Sequence, residues 1–334
     1  MELFIRFAVS LVPVVLFLLT LNYLDSFRLV SPRSIATALL AGVAVALVSL
    51  AINDAVMQAT GMKRAMISRY VAPPVEETLK AAWVAWLIAR RRVGFMVDAA
   101  IVGFAVGTGF ALIENTYYLR VLTSHNIGVW IVRGLGTAIM HGGMTAIYGI
   151  VTRTLADRQE SRWTAYLPAL ALVIAAHSIY NHFILPPVTA TIVLHIILPS
   201  TLLLAFRASE RATRRWLGSQ MDFDAEMLEI IHSGSIGTSR IGHYIKEMQR
   251  QFAPEMVVDM LCYIRIHLEL AISAKGILMM REAGFKPGPP EGTREKFAEL
   301  RHLEHNIGRT GLLAIKPLLH RSTRDIWQIY HLDS

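Results

Sequence analysis

Seven apolar stretches, each close to twenty residues long, crowd the first 206 positions: about 3–23, 34–53, 72–90, 98–119, 128–152, 164–184 and 187–206. A helix needs ~20 apolar residues to cross the hydrocarbon core of a bilayer. The chain is therefore expected to be all-α, a polytopic membrane bundle of about seven spans over residues 1–206, with a soluble helical region over 207–334. Composition agrees, with 54% of the 334 residues hydrophobic and the apolar excess ending near residue 206. The first stretch has too long an apolar core for a signal peptide and no Ala-x-Ala site before Asp25, so it reads as a retained helix.

The formal charge of +8 would suit a nucleic-acid binder, but much of the basic excess sits in short loops between apolar stretches. There it sets orientation. One set of loops holds Arg28 and Arg33; Arg90, Arg91 and Arg92; Arg153, Arg158 and Arg162; and Arg207, Arg211, Arg214 and Arg215, which is 2 + 3 + 3 + 4 = 12 basic residues. The opposite set holds Lys63, Arg64, Arg69 and Arg120, which is 4. The bias predicts an outside N-terminus and a cytoplasmic tail, with the 54–70 segment lying along the interface. No nucleic-acid partner is expected. Cys262 is the one cysteine, so the chain forms no internal disulfide.

In the tail, Val257, Val258, Leu261, Ile264, Leu268 and Ile272 recur at helical spacing, as do Phe297, Leu300, Leu303 and Ile307. Each stripe predicts a helix packed on a neighbour. Gly284 to Gly292, rich in proline and glycine, predicts the break between them.

Within the spans lie groups a bilayer resists: Glu76, Glu77, Lys80, Glu114, His141 and His177. A charge at the centre of a membrane helix costs roughly 2.5–3.5 kcal/mol on the insertion scale, so three glutamates and a lysine oppose insertion by on the order of 10 kcal/mol. Pro73 and Pro74 suit the first turn of the third span. Glu76 and Glu77 follow where the helix dipole favours a carboxylate, and Lys80 lies one turn on from both. Gly103, Gly107 and Gly109 make the fourth span thin enough for close neighbours. Glu114 lies near its far end, and Asp98 reads as the N-cap at its start. His141 has Thr145 one turn on, and His177 has Asn181. With spans running in alternate directions, these groups reach overlapping depth on the outer side, which predicts one polar site. His195 and His182 read as packing and interface residues.

Glu76-Glu-Thr-Leu-Lys80, Phe110-Ala-Leu-Ile-Glu114 followed by Asn115, His141, and His177-Ser-Ile-Tyr-Asn181 stand in order, each in its own span. In this the chain resembles the PrsW family of bacterial intramembrane proteases, distant relatives of the CAAX prenyl endopeptidases, over roughly residues 72–184. The tail around Leu300 to Leu319 is also similar to the cytoplasmic extension of proteobacterial members. The resemblance implies an intramembrane endopeptidase of the bacterial inner membrane. Its activity would be site-1 cleavage of membrane-anchored proteins, anti-sigma factors among them, by a family classed as metallopeptidases whose CAAX relatives use a glutamate-activated water.

Hydrolysis of a peptide needs a base for water, a stabiliser for the oxyanion and a proton donor for the leaving amine. Glu76 or Glu77 is the expected base, with Lys80 neutralising the other and His177 and Asn181 facing the oxyanion. Glu114, His141 and His177 also form a two-histidine, one-carboxylate set that zinc would accept. No His-Glu-x-x-His run is present, so zinc and metal-free hydrolysis both stand. Buried Glu, Lys and His would equally serve a proton-coupled transporter, although no internal symmetry between halves supports one. A non-catalytic scaffold is the remaining alternative.

Overall fold

Ser31 begins the second helix: its hydroxyl accepts from the Ser34 amide, and Pro32 fills the first turn, where a missing N–H costs nothing. Such local signals recur along the chain. The computed structural model describes residues 2–122, 126–159, 163–233 and 240–319, and among these every regular element is helical. Contacts divide the chain into two compact units, Met1–Ser209 and Glu210–Ser334.

The first unit is a helical membrane bundle. It contains α1 (Glu2–Tyr23), α2 (Pro32–Thr60), the short α3 (Arg64–Met66), α4 (Ala72–Ala89), α5 (Met96–Val121), α6 (Ile127–Ile131), α7 (Ile139–Gln159), α8 (Leu167–Asn181) and the first part of α9 (Pro187–His232). Two π-helical stretches interrupt it, Ile67–Val71 before α4 and Val132–Ala138 before α7. Helices α1, α2, α5 and α9 are long and apolar enough to cross a membrane on that ground alone, and α8 is a shorter apolar helix. The outer faces of α1, α2 and α9 show why: Leu3, Phe4, Leu40, Leu47, Ile192 and Leu204 are all exposed, as lipid-facing side chains should be.

Boundaries differ from expectation in instructive places. Helix α2 continues to Thr60, closed by Gly61 at φ 68°, and with α3 and the first π-helical stretch it leaves only 61–63 of the 54–70 segment outside a helix. Helix α8 stops at Asn181, short of the expected 184. Asp98 is not the N-cap of α5. That position is Phe95, and Asp98, three residues in, accepts from the Gly94 and Phe95 amides at 2.6 and 2.7 Å. Arg153 of α7 donates to the Gly94 carbonyl at 2.9 Å, tying the same turn down from the other side.

Helix α5 is the axis of the bundle, buried around its whole circumference from Val97 to Ala111. Its glycines allow this. A Cβ on Gly107 would lie 2.3 Å from the His141 carbonyl oxygen, and one on Gly103 would lie 2.5 Å from that of Thr145. The backbones of α5 and α7 therefore touch directly, and the contact fixes His141 against α5.

The second unit takes the rest of α9 with α10 (Arg240–Met248), α11 (Pro254–Glu282) and α12 (Thr293–Ile315). Both predicted stripes enter its core. Val257, Ile264 and Leu268 are buried against Phe297, Leu300, Leu303 and Ile307, but Val258 points outward. Residues 283–292 break the helices as expected, and Gly292 (φ 77°) starts α12. An ion pair between Asp224 and Lys275 is buried in this unit.

Candidate functional site

The two prolines of the third span govern its local structure. Proline has no N–H, so Pro73 and Pro74 leave carbonyls of the preceding turn without helical partners, and the chain there takes π geometry. Membrane helices tolerate such a break when neighbouring side chains satisfy the freed groups. Here α8 does so: Ser178 Oγ donates to the Arg69 carbonyl at 2.7 Å, and Asn181 Nδ2 donates to the Ser68 carbonyl at 2.9 Å. Both donors lie beside His177 on the same helix. The repair of the backbone thus also sets where His177 stands relative to α4.

Past the prolines, Glu76, Glu77 and Lys80 are all buried. Lys80 Nζ donates to Glu77 Oε1 at 2.6 Å and lies 3.1 Å from His141 Nδ1. It also stands over the Phe110 ring, 4.7 Å from its centroid. His177 Nδ1 lies 2.7 Å from the same Glu77 oxygen. Glu77 is acceptor-only when ionised, so His177 carries its proton on Nδ1 toward Glu77. Because Lys80 offers only donors, His141 receives at Nδ1 and holds its proton on Nε2, which faces Glu114 Oε2 at 3.1 Å. The two imidazoles meet edge to face with centroids 5.0 Å apart.

Glu76, on the same turn, points elsewhere. Adjacent residues of a helix stand ~100° apart, and Glu76 turns to α2, where Asn53 Nδ2 donates to its Oε1 at 3.3 Å. Glu76 lines a cavity of about 330 Å³, together with Glu114, His141, His177 and Asn181; Glu77 and Lys80 lie behind that wall. The structure thus joins five of the seven predicted residues, Glu77, Lys80, Glu114, His141 and His177, in one network. Glu76 stands apart with a ligand atom within 4.8 Å of those of the two histidines, and Asn181 borders the cavity with its amide nitrogen spent on the Ser68 carbonyl.

Two participants were not foreseen. Asn53 is the last residue of the 34–53 stretch predicted as a span, at its outer end in the expected topology. Arg133 lies within another predicted span, and an intramembrane arginine is itself a signal that went unused. Its Nη2 is 3.3 Å from Glu114 Oε2, its Nε donates to Asn115 Oδ1 at 3.0 Å, and its guanidinium stacks over Tyr118 at 3.8 Å. Arg133 sits in the second π-helical stretch, a geometry that recurs at functional sites. Ionised, Glu77 pairs with Lys80 and Glu114 with Arg133, while Glu76 makes no ion pair among the described residues. That leaves one negative charge for a proton, a histidinium or a bound cation to balance.

The expected metal set changes in one member. Glu76, His141 and His177, all buried, each place a ligand atom within 4.8 Å of the others. Glu114 is not in that group, because Arg133 and His141 Nε2 hold its carboxylate. The trio fits a zinc-type ion by donor chemistry and proximity. His177 keeps Nε2 available while its Nδ1–H is held by a carboxylate, the usual outer support of a ligating histidine. His141 has both ring nitrogens engaged and would release Lys80 or Glu114 to ligate.

The sequence model of one protein family, described as PrsW family intramembrane metalloprotease, matches residues 31–206 of the chain. No curated protein and no solved structure matches it.

Proposed function

Because the chain belongs to the PrsW family of intramembrane metalloproteases, we propose that it is an endopeptidase that cuts membrane-anchored proteins, with Glu76 as the base that activates the attacking water. One observation carries the assignment: of two adjacent carboxylates, Glu76 lines the cavity, while Glu77 is spent behind it on Lys80 and His177. A base must reach the proton it takes.

The residues divide the reaction as follows. Water bound at Glu76 gives up a proton to that carboxylate as its oxygen attacks the scissile carbonyl carbon. Negative charge then collects on the carbonyl oxygen. His177, oriented through Nδ1–H to Glu77, presents Nε2 to that oxygen and stabilises it when protonated, with Glu77 balancing the imidazolium. Glu76 returns its proton to the leaving nitrogen as the C–N bond breaks, giving a free carboxyl and a free amine. Lys80 and Arg133 keep Glu77 and Glu114 ionised partners of the two histidines. Asn181 acts by fastening α8 to the turn before α4, not as the oxyanion donor expected from its place one turn after His177.

A second reading rests on the closeness of Glu76, His141 and His177. These would hold a zinc ion, which when bound supplies a Lewis acid for the scissile carbonyl. Glu76 would then be a ligand and not a free base. The substrate class that the sequence resemblance suggests is a single-span anti-sigma factor. The 12-to-4 bias in loop charge supports a tail in the cytoplasm, and the sequence resemblance suggests a bacterial inner membrane.

The test is reconstitution of the purified chain with a single-span substrate. Glu76→Gln keeps shape and removes the base, so cleavage should fall by at least ~100-fold. Unchanged cleavage at equal protein level sinks the assignment. Full activity in a preparation that metal analysis finds empty refutes the zinc reading and leaves Glu76 as base.

A further inference from the structure

Two residues that line the cavity each carry a buried polar atom without a hydrogen-bond partner: Arg133 Nη2, a donor, and Asn53 Oδ1, an acceptor. Both are shielded from solvent. A buried polar atom left unpaired costs about 1–3 kcal/mol, and native folds keep such atoms mainly where function uses them. These two are also held firmly. Arg133 is fixed on three sides by Glu114, Asn115 and the Tyr118 ring, and Asn115 is itself anchored by donating to the Ser10 carbonyl at 2.8 Å. The Nη2 approach to Glu114 at 3.3 Å is an ion pair without hydrogen-bond geometry, so the fork's outer hydrogens remain unused. Asn53 spends its amide nitrogen on Glu76 and keeps its carbonyl oxygen free.

A peptide bond inside a membrane helix is closed to water attack by its own hydrogen bonds. To be cut it must unwind, and each freed N–H and C=O then costs several kcal/mol in a medium without water. One donor and one acceptor waiting beside the base match that need in kind. On the reading of the chain as an intramembrane endopeptidase, we propose that Arg133 and Asn53 clamp the unwound backbone of the substrate. Arg133 donates to a peptide carbonyl on the Glu114 side, and Asn53 accepts from a peptide N–H beside Glu76. Selection is then for a span that unwinds readily, and not for a side-chain motif. No covalent step is added; the pair binds and orients.

The test separates binding from cleavage. Full-length Glu76→Gln protein in nanodiscs is titrated with two fluorescent synthetic single-span peptides, identical except for Pro-Gly or Leu-Leu in the outer third of the span. The Pro-Gly peptide should bind about tenfold tighter. Adding Arg133→Gln or Asn53→Leu should shrink that preference to about threefold or less, with the Leu-Leu peptide affected little. Arg133→Lys should fail to restore it, because an ammonium cannot be pinned by Asn115 and still present a second fixed N–H. Should Arg133→Gln not fold, as judged by thermal unfolding, Asn53→Leu carries the test alone. A preference that persists in folded Arg133→Gln, or full rescue by lysine, overturns the clamp. A preference seen with no cleavage of either peptide by wild-type protein supports the clamp and counts against hydrolysis. Cleavage by wild-type protein with no preference does the reverse.

Discussion

Removing the cation at Lys80 should be among the most damaging single changes in the membrane unit. Lys80 Nζ and Glu77 Oε1 are 2.6 Å apart, and their side chains are 0% and 1% exposed. At an effective dielectric constant of about 20 the attraction at that distance is about 6 kcal/mol before desolvation is subtracted. Breaking one side of a buried pair costs roughly 3–5 kcal/mol, because the survivor is left charged and unpaired. Lys80→Met should therefore destabilise by about 3–5 kcal/mol, at the lower end because His177 still donates to Glu77. Glu77→Gln should cost a similar amount. The double variant removes both charges, and its loss should fall short of the sum by about 2–3 kcal/mol. Denaturant titration of detergent-solubilised protein, followed by circular dichroism, would measure all four corners of the cycle. Additive losses, within about 0.5 kcal/mol, would mean that the pair is not coupled and that the network described around Glu77 is wrong.

Other perturbations reach different parts of the molecule. Asn181→Ala and Ser178→Ala should each cost about 1 kcal/mol of stability by leaving a part-buried carbonyl without its donor; Asn181→Ala protein that keeps its stability but loses cleavage ~100-fold would return Asn181 to the oxyanion. Gly107→Ala places a methyl 2.3 Å from the His141 carbonyl, so α7 must shift, at a cost of about 1–3 kcal/mol or more; unaltered thermal stability would refute the close contact. Asp25, in the loop between α1 and α2, is buried strongly enough that its pKa rises from 3.8 to about 6, despite accepting from the Phe27 and Leu29 amides. The folded chain holds that proton more tightly than the unfolded one, so this contribution is complete below pH 3.8 and is lost as pH rises through about 6, a change of about 3 kcal/mol. The stability difference between wild type and Asp25→Asn should therefore vary with pH over that window, and a flat difference would contradict the burial.

Hydropathy made most of the helices legible, because a lipid-facing surface must be apolar along its whole length. The meeting of Glu77, Lys80, His141 and His177 was legible too, since alternating spans fix depth. Direction around each helix was not. Depth cannot say whether Glu76 or Glu77 faces the cavity, nor whether Glu76 or Glu114 joins the histidines, because the answer lies in contacts with Asn53 and Arg133 on other helices. Arg133 was hidden by its neighbours: one charge among apolar residues at a span's start passes for an edge. The partners of Asn181 were hidden more deeply, for backbone carbonyls carry no letter in a sequence. Only Pro73-Pro74 hinted that two of them would need donors.

The repair of that proline break has a mechanical side. Ser178 and Asn181 tie α8 to the turn that launches α4, while His177 of α8 grips Glu77 of α4. Three fastenings along one seam make these two helices a single hinge leaf. A substrate wedging between them would have to undo every one before reaching Glu76, and would pull apart the very groups it came to meet. Asn53 and Met57 of α2 also line the cavity, as do Arg64 and Ser68, and there the one side-chain hydrogen bond from α2 to α4 among the described residues is that of Asn53 to Glu76. Entry on the α2 side would break that single bond and leave the hinge leaf closed.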